Sequence, residues 1–238
     1  MERLERAMAT GFLSVLIVLV VVLSIALGAL WYWVHHAGQV DAAHRQQAQL
    51  ALDDELRRTN NETTRVLRDE DSADPDVLTA VIYRHTGAPL ISYDAPRHTF
   101  RARVAKRVEY ESRTLFGTSE GVIERCLQYT YTPGQDHDWT STMSTVKYDT
   151  CNPAVSINSD ARIAGQRVAA LEASELNRAS VRRALAPYRR FLTVGAVTTT
   201  GSTVKVSVVV SEGTTRQCYW ITRNGLQILS VPAQNCQR

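Results

Sequence analysis

Lysine is scarce in this sequence, three residues against 24 arginines in a chain of 238. Such a bias is expected of a GC-rich coding genome and points to a bacterial source. Cysteine is scarce too. The four residues Cys126, Cys151, Cys218 and Cys236 include no C-x-x-C pair, which argues against structural zinc, whose ligands come in closely spaced pairs. RNP, zinc-finger and helix-turn-helix patterns are missing. A net charge of +3 is also too modest to argue for nucleic acid, whose binding rests on a basic patch that neutralises several phosphates, so nucleic acid is not expected. No metal and no cofactor are expected either. With 44% apolar and 21% charged residues, the composition is that of a globular chain.

One run lacks charge altogether. Phe12 to Val34, FLSVLIVLVVVLSIALGALWYWV, is 23 residues long, and as a helix it spans about 35 Å, enough for a hydrocarbon core. Ala26 and Gly28 would suit the cleavage site of a signal peptide. The apolar run nevertheless continues into Trp31, Tyr32 and Trp33, residues that suit the headgroup boundary of a retained helix. Arg3 and Arg6 precede the run and the first arginine after it is Arg45, which places the N-terminus inside.

The cysteines agree with that orientation, because stable disulfides form in oxidising compartments. Four cysteines allow three pairings. The runs GVIERCLQYTYTP (121–133) and TVKYDTC (145–151) each alternate, with Ile123, Leu127, Tyr129 and Tyr131 on one face of the first and Val146 and Tyr148 on one face of the second. A hairpin that sets Cys126 opposite Cys151 also sets Tyr129 opposite Tyr148 and Tyr131 opposite Val146, a register serving disulfide and apolar pairing together. Cys218 then pairs with Cys236 and fastens the tail.

The segment from His35 to Ala73 is polar, rich in helix formers and free of proline, and reads as a helical stalk from about Gln39 to Asn60. Its leucines sustain no heptad. Asn61-Glu62-Thr63 matches a glycosylation acceptor. Asp74-Pro75 opens and Gly87 closes a short helix. Strands follow over 100–114, 121–131 and 143–151, then a helical region over 160–190 with Ser174 as a cap and Pro187 as a late break. A meander closes the chain over 191–199, 203–211, 215–222 and 226–231, with turn signals at TTGS, SEG and RNG.

The chain thus divides into a cytoplasmic tail (1–11), a transmembrane helix (12–34), a stalk or linker (35–73) and a disulfide-stapled extracytoplasmic α+β domain of antiparallel sheets and packed helices (74–238). Helix, strands and cysteine recur, so 74–157 and 158–238 read either as two similar units or as halves of one domain.

Chemistry leaves fewer traces. Gly117 to Gly121, GTSEG, matches G-x-S-x-G around Ser119, but a nucleophile elbow needs a helix after it, and VIERCLQYTY reads as a strand; a glycine-rich hairpin turn is the simpler reading. Asp136, His137 and Asp138 form a short polar cluster in a loop, and His35, His36 and His44 lack the i, i+4 spacing of a helical metal site. Two arginine groups stand out as a surface for an anionic partner: Arg101, Arg103 and Arg107 on one strand face, and Arg178, Arg182 and Arg189 on one helix face. Glu109 and Glu111 beside the first group point equally to a solvated face.

The expectation is a non-enzymatic, single-pass protein of the plasma membrane whose outer domain is a scaffold or protein-interaction module. Its partners would be the bilayer and another membrane or cell-surface protein, with homo-oligomers left open. A small-ligand or sensory module is the alternative, and a serine hydrolase at Ser119 the remote one. A reporter active only outside the cytoplasm, fused after Arg238, is expected to give signal, while one active only inside stays silent; the opposite pattern sinks the orientation.

Overall fold

The computed structural model describes residues 2–114, 117–135, 138–172, 176–201, 203–225 and 227–236, with side chains described for all of these except 2–15, 113 and 114. Ser174, Asp136 and His137 lie outside them. The chain is α+β, with a long N-terminal apolar helix, two four-stranded antiparallel sheets and two disulfides. The elements are α1 (Glu2–Asp69), α2 (Pro75–Thr86), β1 (Leu90–Asp94), β2 (Thr99–Thr114), β3 (Gly117–Pro133), β4 (Trp139–Val146), α3 (Asn152–Ala169), α4 (Arg178–Leu185), β5 (Leu192–Thr200), β6 (Thr203–Glu212), β7 (Thr215–Asn224) and β8 (Gln227–Ala233). Each sheet is a meander, β1-β2-β3-β4 and β5-β6-β7-β8. Two compact units result, one of residues 1–52 and 108–123, the other of residues 53–107 and 124–238.

In the first unit, α1 contains a stretch long and apolar enough to cross a membrane, with a mean hydropathy of 2.5 over 18 residues. Trp31, Tyr32 and Trp33 at the end of the apolar run are 63–70% exposed. The end of β2 contacts the same helix further along, where His44 Nδ1 lies 2.9 Å from the Glu111 carbonyl oxygen. GTSEG is not a turn. It forms the first five residues of β3, and Gly121 is needed there because a Cβ would fall on the ring of Tyr110.

In the second unit, α1 continues past the expected end of the stalk, and its last turns are core. Leu56, Thr63 and Leu67 are buried. Asn60 Nδ2 and Thr64 Oγ1 each donate to Ser141 Oγ of β4 at 2.8 Å, and Arg125 of β3 pairs with Asp53. These contacts explain why the expected hairpin register is wrong. The structure sets Cys126 opposite Val146, Tyr129 opposite Met143 and Tyr131 opposite Ser141, which places Trp139, Ser141 and Met143 on the tyrosine face instead of Val146 and Tyr148. The hydroxyl-rich residues 139–142 lie outside the expected strand over 143–151, yet α1 supplies Asn60 and Thr64 to satisfy Ser141, so the strand starts at Trp139 and ends at Val146.

The pairing Cys126–Cys151 nevertheless forms, with a Cα separation of 5.7 Å. Cys151 reaches Cys126 from a 3-10 turn over Tyr148–Cys151 after β4, and both residues are buried. Helix α3 follows at once, eight residues earlier than the expected start at Asp160. Pro153 stands in its first turn, and Ala154, Ile157, Ala161, Ala164 and Val168 form its buried stripe. The expected helical region over 160–190 is two helices; α4 is capped by Asn177, whose Oδ1 accepts from Ser180 N at 3.0 Å.

The short helix and the meander agree with expectation to within two residues at most boundaries. Asp74 Oδ1 accepts from Asp76 N at 2.9 Å, and Gly87 ends α2 at φ 67°, its N–H bonded to Tyr83 O. The strand β1 was not anticipated. In the second sheet Val204, Val206, Val208 and Val210 of β6 alternate inward to meet Val181 and Leu185 of α4 and the stripe of α3 in one cluster, as β-branched side chains on a half-buried strand do. Helix α2 packs mainly on β8.

The two sheets are joined by polar side chains. Ile91 of β1 donates its N–H to Gln217 Oε1 at 2.9 Å and accepts at its carbonyl from Gln234 Nε2 at 2.9 Å. Gln217, only 4% exposed, also donates to Ala233 O at 2.8 Å. Tyr219 Oη donates to Pro89 O at 2.5 Å. Replacing Gln217 by Leu keeps the volume but strips buried backbone groups of Ile91 and Ala233 of their partners. At about 1–3 kcal/mol for each of the two orphaned groups, Gln217→Leu is expected to lower stability by about 2–6 kcal/mol in chemical unfolding; a loss under about 0.5 kcal/mol would show the joint to be incidental.

Candidate functional site

The first arginine group is not an open row of cations. Arg101 is exposed, but Arg103 Nε donates to Gln128 Oε1 at 3.0 Å on the neighbouring strand, and Arg107 is engaged, as are Glu109 and Glu111. In the second group Arg178 and Arg182 sit one turn apart on α4, whereas Arg189 does not share their helix face. The helix ends at Leu185, and a 3-10 turn over Ala186–Tyr188, containing Pro187, carries the chain away before Arg189. Arg183 and Arg190, not singled out by spacing, are exposed beside them.

A different surface emerges on the second sheet. One face of that sheet carries α3 and α4. The opposite face presents Trp220, Thr222, Leu229 and Val231, with Leu229 59% exposed, and Val77 and Ala80 of α2 border a cleft of about 470 Å³ there, together with Lys205 and Thr198. Trp220 is held by donation from Nε1 to Asn235 O at 3.2 Å. The spacing of QILSVPA contains the signal: Ile228 lies against the core cluster while Leu229 and Val231 point the other way, so β8 is apolar on both faces. Sequence reasoning that looked for alternation passed over it.

A second cleft, of about 460 Å³, lies between α3, β8 and Tyr83 of α2, with Asn158, Arg162, Gln166 and Ser230 as its polar groups. Gly165 belongs to its wall; a Cβ there would stand 2.9 Å from Ser230 Oγ, so the helix approaches β8 only because that side chain is missing. Tyr219 also lines this cleft, but its hydroxyl is committed to Pro89.

Ser119 is exposed in the extended backbone of β3, beside Glu109, Tyr110 and Glu120. His35 stacks on Trp31 and His36 on Tyr32, with ring centroids 5.5 and 5.9 Å apart, and Asp138 pairs with Arg68 at 2.8 Å. Among the described residues no three His, Cys, Asp or Glu side chains cluster as metal ligands.

The largest pKa shifts belong to buried tyrosines. Burial pushes the Tyr129 phenol up to about 12, with the negative charge of Glu55 adding to it. Burial pushes Tyr131 up as well, opposed by the Thr63 hydroxyl beside it, and it does the same to Tyr219. The Asp160 carboxyl is raised by burial and by Glu212.

No protein-family model, no curated protein and no solved structure matches the chain.

A phenol whose folded pKa exceeds its unfolded value near 10 binds its proton more tightly in the fold, so its contribution is full below pH 10 and is lost as pH rises through the folded value. Unfolding free energy is therefore expected to be flat to about pH 10 and to fall steeply between about pH 10 and 12. Tyr129→Phe should make that decline shallower, because Tyr131 and Tyr219 still titrate on unfolding; an unchanged profile would place the alkaline transition elsewhere.

Proposed function

We propose that the protein is a non-enzymatic, single-pass membrane protein with its N-terminus in the cytoplasm, whose extracytoplasmic α+β domain is a scaffold that docks another membrane or cell-surface protein. The outer face of the second sheet carries this reading. Trp220, Leu229, Val231 and Val77 form an apolar surface with a polar rim from Lys205, Thr198 and Thr222, and an aromatic anchor within an apolar patch is the usual core of a protein interface. The apolar length of α1 and the two disulfides support the membrane and the oxidising compartment. No catalytic step is assigned to the chain. Labelling of Ser119 by a serine-directed probe, lost in Ser119→Ala, would overturn that part.

A small-ligand module is the second reading, favoured by the cleft at Arg162 and Ser230, whose volume lies in the range of small-molecule sites. A compound that raises the unfolding temperature of the full chain but not of Ser230→Trp would put this reading first.

For the docking reading, a photo-crosslinking side chain at position 229 in the full-length protein in its native membrane is expected to give one discrete adduct. The same group at position 155, where Val155 of α3 is 48% exposed, should give none, and Trp220→Ala should weaken the adduct at 229 at least tenfold. Equal labelling from both positions, or none from 229, would remove the outer face as the docking surface.

A further inference from the structure

The distribution of charge along the second half of the chain is lopsided. From Leu176 to Ser211, 36 residues hold six cations and no aspartate or glutamate. Five of the six, Arg178, Arg182, Arg183, Arg189 and Arg190, fall on α4 and the turn that follows it, and all five are exposed. Several cations elsewhere are paired: Arg57 with Asp54, Arg65 with Asp69, Arg68 with Asp138, Lys106 with Glu55 and Arg125 with Asp53. Among the described residues none of the five arginines has such a partner.

Local physics accounts for only two of them, Arg182 and Arg183, which stand in the last turn of α4 where the helix dipole favours a cation. Helix α4 is anchored by Val181 and Leu185, both buried, and capped by Asn177, so the arginines are not needed to form it. Arg178 stands in its first turn, where the helix dipole disfavours a cation. Arg178 and Arg182 are like charges at i, i+4, a pairing that destabilises a helix by a few tenths of a kcal/mol. Arg167 of α3 adds a sixth guanidinium by donating to Tyr188 Oη at 2.9 Å while its Cζ stands 5.5 Å from that ring's centroid.

The surface also lacks what a protein interface needs. No large apolar side chain between 176 and 192 is exposed, so an aromatic or aliphatic anchor is missing. A partner bound by such a surface gains from charge neutralisation and counterion release, which a linear polyanion supplies without apolar burial. Guanidinium forks match phosphate oxygens two at a time.

We propose that the arginine turn Arg178–Arg190, extended by Arg167, is a binding surface for a linear, phosphate-bearing polyanion. Because α4 packs on the face of the second sheet opposite Trp220 and Leu229, this surface is distinct from the docking face proposed above, and failure of one leaves the other standing.

The test uses the full chain in a zwitterionic detergent, titrated with fluorescently labelled inorganic polyphosphate. With about five phosphate contacts, affinity is expected to fall about 100-fold between 50 and 200 mM salt, by the single-strand relation between contacts and salt slope. R182Q/R183Q/R189Q should bind at least tenfold more weakly with a shallower salt slope, R182K/R183K/R189K should lose much less, and R57Q/R65Q, which removes paired arginines, should bind as the parent does. Parent-like binding by the triple Gln variant, or an equal loss in R57Q/R65Q, would overturn the site. Polyglutamate of the same length binding as tightly would overturn the phosphate assignment in favour of an acidic protein segment, and anionic vesicles that bind where polyphosphate does not would overturn it in favour of a lipid surface.

Discussion

The backbone of Ile91 is the point on which the second unit depends. It sits in the edge strand of the first sheet, and an edge leaves N–H and C=O groups that must find partners once they are buried. Two glutamines from the second sheet and its tail supply them, Gln217 accepting from the N–H and Gln234 donating to the carbonyl. A side-chain amide is the one uncharged group that offers both an acceptor and two donors, so Gln217 can serve Ile91 and Ala233 at once. The two meanders are thereby joined through directional bonds at fixed positions. Apolar contact between the sheets could slide; these bonds cannot without orphaning a buried group.

Local signals made part of this fold legible in the sequence. Asp74-Pro75 and Gly87 bound α2 because capping and left-handed backbone are set by the residues themselves. The meander is legible because glycines recur in its hairpin connections and valine alternates along β6. Where the sequence misled, the missing information was tertiary. Residues 139–142, outside the expected strand, join β4 because Asn60 and Thr64, about 80 residues away, satisfy Ser141. The stalk becomes core at Leu56, Thr63 and Leu67 because a sheet covers them, and a polar helix with a few well-spaced leucines does not announce which it will be. Strand β1 is five residues long and carries no turn motif that a scan would catch.

The candidate sites divide in the same way. Arg178 and Arg182 are visible as one helix face because their spacing is local, but Arg189 was assigned to that face only by extending the helix through Pro187, which ends it. Arg183 and Arg190 were passed over because a search for one stripe discards neighbours, whereas a charged surface is built from whatever is exposed together. The apolar outer face is a product of topology. Leu229 and Trp220 come side by side through the pairing of β8 with β7 and are left open because both α3 and α4 pack on the other face.

The Cys218–Cys236 disulfide belongs to the same joint as Ile91. It fixes the tail at the point where Gln234 meets Thr79 and Ile91, where Asp76 accepts from the backbone N–H groups of Gln234 and Asn235 at 2.7 and 3.2 Å, and where the Cys236 carbonyl accepts from Ser207 Oγ at 2.9 Å. A chain end otherwise frays, because each residue loses backbone entropy on ordering and gains few contacts. Closing the 18-residue separation covalently removes much of that cost from the unfolded side, on the order of 3 kcal/mol, and lets Gln234, Asn235 and Cys236 act as structural partners. The same tail supplies the carbonyl of Asn235 that orients Trp220, so the covalent constraint, the joint between the sheets and the aromatic anchor of the outer face form one continuous arrangement.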